Sequence, residues 1–273
     1  MTGLLASWVD GAPGSSVPID DRGLQYGDGL FETMRVRAGR VRFLESHLAR
    51  LLHGCGRLAL PAPDVDQLRS EMDAAAGSSR EDAILKLILT RGSGPRGYAP
   101  RGPIAPRRIL SLHAPGNTPL PAEVALRIAR LTLTDNAALA GLKHLNRLEN
   151  VLAASEPGHQ GHFDSLLLDS RGLVVSGTHC NVFLVLAGKL MTPSLERAGV
   201  AGVTRGIVLR ECAALGLECQ VRAVPAAELL AADEVFVTNA RIGVVPVQRV
   251  GEHAFTMNPI ASRMAGHVES LDA

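Results

Sequence analysis

The chain has 273 residues, 46% of them hydrophobic and 20% charged, a globular composition long enough for one large domain or two smaller ones. Its 28 basic and 27 acidic residues leave a formal net charge of +1, so no basic excess marks a nucleic-acid-binding protein and no charge block marks an interaction tail. Aromatic residues are only 3%, so aliphatic residues and glycine must build the core, and stacking platforms for bases are scarce.

The opening MTGLLASWVDG lacks the basic segment and long apolar run of a secretory leader. Apolar runs such as AILKLILT are short and carry a charge, well below the ~20 residues that cross a bilayer. Cys55, Cys180, Cys212 and Cys219 form no CxxC pair and no Cys/His ligand spacing. The expectation is a cytoplasmic protein with reduced thiols, no bound metal and no membrane or nucleic-acid partner.

In chain order, GLFETMRV and RVRFL flank the turn Arg37-Ala38-Gly39 and predict a β-hairpin. Leu44, Leu48, Leu51, Leu52, Cys55 and Leu58 then fall at helical spacing, and a weaker helix holds Val65, Leu68, Met72 and Ala75. The strands ILKLILTR and RIL bracket GSGPRGYAPRGPIAP, a long loop rich in Gly, Pro and Arg, of the kind that is usually functional or mobile. APGNTPLPAE, from Ala114 to Glu123, reads as a linker. It predicts a smaller N-terminal domain over 1–115, a linker over 116–123 and a larger C-terminal domain over 124–273.

The second half opens on the alternating strand VALRIARL, followed by a helix around Leu145 to Ser155. Two hairpins come next, SLLLD-SRG-LVVS and NVFLVL-AGK-LMTP. Thr204 stands before Ile207, Val208, Cys212 and Leu215 as a helix N-cap, and Gly216 ends that stripe. CQVRAV, EVFVTN and VVPVQRV predict further strands, and a last helix starts near Asn258. Hairpins mixed with helices predict an α+β fold in two parts. Neither GxGxxG nor a Walker-type GxxxxGK[ST] is placed for a nucleotide site.

Lys143 lies between the Ala-rich run AALAGL and a helix. Desolvation there would lower its pKa and make it a nucleophile and base, although from the residues alone an ordinary surface lysine is the commoner case. The segment GLKHLNRLENVLA resembles the cofactor-lysine segment of fold type IV pyridoxal-phosphate enzymes. Its KHLNRLE stretch is most similar to the 4-amino-4-deoxychorismate lyases of that group. The resemblance runs through nearly the whole chain: DRGLQYGDGLFET is similar to the opening signature, ESHLARL to the segment whose arginine binds the cofactor phosphate, and AGVTRGIVL and VTNARIGVVPV to two further phosphate-binding segments.

The resemblance implies a two-domain fold with Lys143 in the second domain, holding pyridoxal 5'-phosphate as a Schiff base. It places Arg50, the amides of Val203 and Thr204, the Thr204 hydroxyl, Asn239 and Ala240 at the phosphate. In TRGSGPRGY, Arg96 and Tyr98 would meet a substrate carboxylate, with Arg147 a second candidate, and Thr33 would bring a hydroxyl near the substrate. A solvated surface charge is the plain alternative for Arg96 and Arg147, and an ordinary β-branched strand residue for Thr33. The implied reaction converts aminodeoxychorismate to p-aminobenzoate and pyruvate, in a homodimer. The rivals are an aminotransferase of D- or branched-chain amino acids and a cofactor-binding protein without turnover.

One position departs from the family pattern. Where members carry a glutamate facing the pyridine nitrogen, this chain has VVSGTHCN, with Ser176 in its place. A hydroxyl does not stabilise a protonated ring nitrogen as a carboxylate does, so the electron sink should be weaker. That counts against transamination more than against a lyase whose product becomes aromatic.

Overall fold

A computed structural model describes residues 3–116 and 120–271. The chain divides into two compact units: one over the N-terminal part together with Lys143–Asn146, the other over Leu120–Leu142 and Arg147–Leu271. Asn117, Thr118 and Pro119, at the centre of the linker expected over 116–123, lie outside the described residues.

The first unit contains β1 (Leu4–Val9), β2 (Ala12–Pro13), α1 (Arg22–Tyr26), β3 (Gly29–Arg37), β4 (Arg40–Val41), α2 (Leu44–Arg57), α3 (Val65–Gly77), β5 (Ala83–Thr90) and β6 (Arg107–His113). Its six strands form an antiparallel sheet in the order β2-β1-β6-β5-β3-β4. Alternation in β3 buries Leu30, Glu32, Met34 and Val36 on one face and leaves Phe31, Thr33 and Arg35 on the other. The buried face packs with α2 through Leu48, Leu51 and Cys55, the helical stripe read from the sequence. The expected hairpin forms at Ala38 and Gly39, but the strand after it is short. Phe43 turns into the left-handed region (φ 55°) and starts α2 at once.

The second unit holds β7 (Val124–Leu133), α4 (Leu148–Ala154), β8 (Asp164–Asp169), β9 (Val174–Gly177), β10 (Asn181–Leu186), β11 (Lys189–Pro193), α5 (Val203–Glu211), β12 (Cys219–Arg222), α6 (Ala226–Leu230), β13 (Glu234–Asn239), β14 (Gly243–Val250), β15 (His253–Ala254) and α7 (Pro259–Ser270). Eight strands run in the order β12-β11-β10-β13-β14-β7-β8-β9, with β15 paired to β14. The β11/β12, β14/β7 and β7/β8 pairs are parallel and the rest antiparallel, so the sheet is mixed. Val182, Leu184, Val235, Val237, Val245 and Val247 are among its core residues.

Three expectations change. The helix expected from Leu145 begins at Leu148, because the preceding residues pair with β3: Phe31 N–H donates to Lys143 O (2.9 Å), Leu145 N–H donates to Gly29 O (3.0 Å), and Leu30 bridges to His144. For the same reason Lys143 belongs to the first unit, where the sequence places it in the second domain. The cap of α5 is Gly202; Thr204 lies one residue inside the helix. A Cβ on Gly202 would come within 2.1 Å of Asn181 Oδ1, so any larger residue there must displace the Asn181 side chain.

Candidate active site

In the first unit the site grows from β3. The Lys143 ammonium stands 4.3 Å from the centroid of the Phe31 ring, a cation–π distance. Thr33 lies on the same sheet face as Phe31, two residues along. β5 adds a residue that the sequence reading passed over. Lys86 pairs directly with Thr33, and its ammonium lies 5.5 Å from the same ring. Two ammonium groups therefore flank Phe31. The clue in the sequence was the alternation of ILKLILTR, which puts Lys86 opposite the buried leucines; its pairing with Thr33 needed the sheet register.

The opposite face of β3 carries an ion cluster. Glu32 is the charged residue among apolar core positions, and α2 answers it with His47 and Arg50, three residues apart on one helical face. Arg50 Nε donates to Glu32 Oε1 (2.8 Å), and Nη2 donates to Oε2, a bidentate pairing. His47 Nδ1 lies 2.6 Å from Oε2. Burial alone would raise the Glu32 pKa, but the charge of Arg50, then the His47 hydrogen bond, bring it down to about 2. Burial lowers His47, with Arg50 and Lys143 adding to the same direction, so the ring is neutral and carries its proton on the nitrogen facing the carboxylate. Arg50 and Lys143 thus both act on His47 through their charge, and the Arg50 fork is oriented by Glu32.

The loop over 91–106 presents Arg96 and Tyr98 to solvent, and Tyr98 is 86% exposed. Its base is built by the opening signature. Asp21 caps α1 through Gly23 N–H (2.8 Å) and accepts from Thr90 Oγ1 (2.9 Å) and Arg107 Nη1 (3.0 Å).

In the second unit, α5 begins where Asn181 fixes the chain. Its Oδ1 accepts from Gly202 N–H (3.1 Å) and its Nδ2 donates to Val200 O (2.9 Å). The first-turn amides of Val203 and Thr204 have no partner within the helix, the arrangement that helix starts use where they bind anions, and Thr204 is buried. Asn239 spends its side chain on the turn before β14: Oδ1 accepts from Arg241 and Ile242 N–H (2.9 and 3.0 Å), and Nδ2 donates to Cys180 Sγ (3.2 Å). Asn239 and Ala240 therefore offer backbone more readily than side chain.

Ser176 is buried on β9, and its Oγ donates to Gly177 O (2.8 Å). Asp164 is an acid close to this strand; a Cβ on Gly177 would come within 2.2 Å of its Oδ2. Its oxygens already accept from the backbone N–H of Ser165, Thr178 and His179 and from Thr178 Oγ1. His179 Nδ1 is 3.3 Å away. Asp164, His179 and Cys180 bring their ligand atoms within 4.8 Å of one another. Burial, then the Asp164 charge, push the Cys180 thiol well up, which keeps it protonated. Arg147 precedes α4, and burial brings its pKa down to about 10.

Residues 29–250 match the amino-transferase class IV family, and the chain belongs to it. Its α+β fold in two units is that of the fold type IV enzymes. A curated relative from Vibrio harveyi, aminodeoxychorismate lyase, is 33% identical over 96% of this chain and 99% of its own length. The crystal structure of 4-amino-4-deoxychorismate lyase from Pseudomonas aeruginosa superposes with a TM-score of 0.93 at 45% identity, covering 98% of this chain and 100% of that one. D-alanine aminotransferase of Bacillus licheniformis is 31% identical over 86% of this chain and 83% of its own. No helix among the described residues is long and apolar enough to cross a membrane.

Proposed function

We propose that this protein is a pyridoxal-phosphate-dependent lyase that converts 4-amino-4-deoxychorismate to p-aminobenzoate and pyruvate. Each unit by itself offers donors of the chemistry this cofactor needs: the first a lysine amine beside Phe31 and an arginine oriented by Glu32, the second a glycine-capped helix start with two amides and a hydroxyl. Lys143 would hold the aldehyde carbon. Arg50, Val203, Thr204, Asn239 and Ala240 would hold the phosphate. When bound, the group supplies a carbonyl for the lysine and a ring that withdraws electrons from the reacting carbon.

Lys143 Nζ takes the proton from the ring carbon that bears the amine. The bond from the adjacent carbon to the enolpyruvyl oxygen breaks as the ring becomes aromatic. Lys143 then returns that proton to the departing methylene, directly or through Thr33 Oγ1, which passes on its own proton and takes the lysine's in exchange, completing pyruvate. Arg96 and Tyr98 bind a substrate carboxylate, with Arg147 a second candidate for that role, and Lys86 adds positive charge on the Thr33 face of the first unit.

The observation that carries the lyase over transamination is Ser176, a hydroxyl where family members carry a carboxylate; it donates to Gly177 O, while the nearby Asp164 carboxylate is engaged by Ser165, Thr178 and His179. The likeness to two lyases over nearly the full chain supports the same reading. A homodimer accords with Leu148, Val151 and Leu152, which α4 leaves exposed as an apolar face. Four free cysteines suit the reducing cytoplasm.

The test is spectral and chemical. The wild-type protein with pyridoxal phosphate should absorb in the visible and release p-aminobenzoate and pyruvate in equal amounts, and Lys143→Ala should lose both. Keto acid from D-alanine or leucine, without p-aminobenzoate, supports the aminotransferase. Visible absorbance with neither product supports the non-catalytic alternative.

A further inference from the structure

The largest of the fully buried side chains is charged: Arg22, 2% exposed. A guanidinium is costly to strip of water, so its partners show what the fold gains from it. Nε donates to Asp28 Oδ2 (2.9 Å), Nη1 to Gly97 O (2.8 Å) and Nη2 to Tyr98 O (2.6 Å). Two of these three hydrogen bonds thus go to main-chain carbonyls of one exposed loop, more than seventy positions along the chain.

The same helical turn holds the loop from a second side. Tyr26 Oη accepts from Gly97 N–H (3.1 Å), and the Tyr26 and Tyr98 rings meet edge to face with centroids 5.6 Å apart. Gly97 takes φ +107°, a conformation that suits glycine, so the chain bends at the clamp. The neck of the loop is equally tight. Arg22 N–H donates to Gly92 O (2.9 Å), and a Cβ on Gly92 would come within 2.0 Å of Ala105 O. Asp28 also accepts from Arg91 Nε (2.7 Å), whose other nitrogens donate to Ala59 O (2.8 Å) and Leu58 O (3.0 Å) at the end of α2. One carboxylate therefore ties the loop to the helix that carries Arg50.

We propose that Arg22 is a positioning residue for substrate recognition: it fixes the Gly97–Tyr98 backbone so that the exposed Arg96 and Tyr98 side chains meet the substrate from one geometry. This rests on the reading of that loop as the substrate loop. Lysine cannot replace it, because a point ammonium does not reach two carbonyls and a carboxylate with a planar fork.

Arg22→Lys and Tyr26→Phe test it in the full-length protein loaded with pyridoxal phosphate. Trypsin cleavage at Arg96–Gly97, mapped by mass spectrometry, reads the clamp directly, and cleavage after the half-exposed Arg171 is the control. In Arg22→Lys the Arg96–Gly97 cut should speed by about tenfold or more with the control unchanged, and KM for aminodeoxychorismate should rise about tenfold with kcat within about threefold. Tyr26→Phe, which removes a single hydroxyl from a part-exposed ring, should move both in the same direction by a smaller factor and serves if Arg22→Lys does not fold. Wild-type cleavage rates at Arg96–Gly97 in the folded variants overturn the proposal, as does faster cleavage with KM unchanged. If the wild-type protein makes no p-aminobenzoate, the substrate reading has failed, while the cleavage comparison still decides whether Arg22 holds the loop.

Discussion

Lys143 and Ser176 carry most of the chemical argument, and the sequence exposed them unequally. Lys143 was legible only through the motif around it, since its position before a helix is shared by ordinary lysines. The structure supplies a physical setting: an aromatic face, a hydroxyl two residues along the strand, and a second ammonium from Lys86. Glu32 and His47 were invisible as a pair, because a strand acid and a helix histidine declare themselves only when the register brings them together. Ser176 was readable by its departure from a pattern, and the structure shows its hydroxyl turned to Gly177 O. Ser176→Glu should therefore raise transamination of D-alanine by about tenfold or more while lyase turnover changes by less than about threefold, a difference of at least ~0.7 kcal/mol between the two barriers. Parallel rates for both products would refute the electron-sink account of this position.

At the scale of elements, periodicity found most of the helices and strands but not their ends. The N-terminus of α5 is the instructive case. Thr204 has the right chemistry for a cap, yet Asn181, on a strand more than twenty residues earlier, takes the Gly202 amide and leaves no room for a side chain there. A long-range contact of this kind overrides a local preference. Gly202→Ala should lose that hydrogen bond, cost about 1–3 kcal/mol in urea denaturation, and weaken pyridoxal-phosphate binding by about tenfold. Unchanged affinity in the folded variant would place the phosphate elsewhere. The late start of α4 has a similar origin: Leu145 reads as the beginning of a helix, but the pairing of residues 143–145 with β3 claims it first. That same pairing sets Lys143 on the Phe31 ring, so the misread element and the candidate site have one cause.

For the whole molecule, the buried ion groups set the response to acid. Glu32 has a folded pKa of about 2 against an ordinary value of 4.5, so its contribution is complete above pH 4.5 and is lost as pH falls toward 2. His47 is also depressed; the unfolded chain takes up its proton first, and stability falls as pH drops below 6.5. The signs agree, so stability should decline from about pH 6.5 at up to ~1.4 kcal/mol per pH unit and more steeply below about 4.5, with Tm falling alongside. His47→Gln should flatten the upper part of that decline; a wild-type Tm that is constant down to pH 5 contradicts a neutral buried histidine. The two-part α+β organisation was readable from hairpin and helix order, whereas the sheet orders β2-β1-β6-β5-β3-β4 and β12-β11-β10-β13-β14-β7-β8-β9 depend on non-local pairing that no local pattern encodes. The central claim, a lyase built on Lys143, meets its most direct test in one ratio. With pyridoxal phosphate present, the initial rate of p-aminobenzoate formation from aminodeoxychorismate is compared with that of pyruvate formation from D-alanine and a keto acid. The account predicts a ratio of about ten or more in favour of p-aminobenzoate; a ratio below one would contradict it.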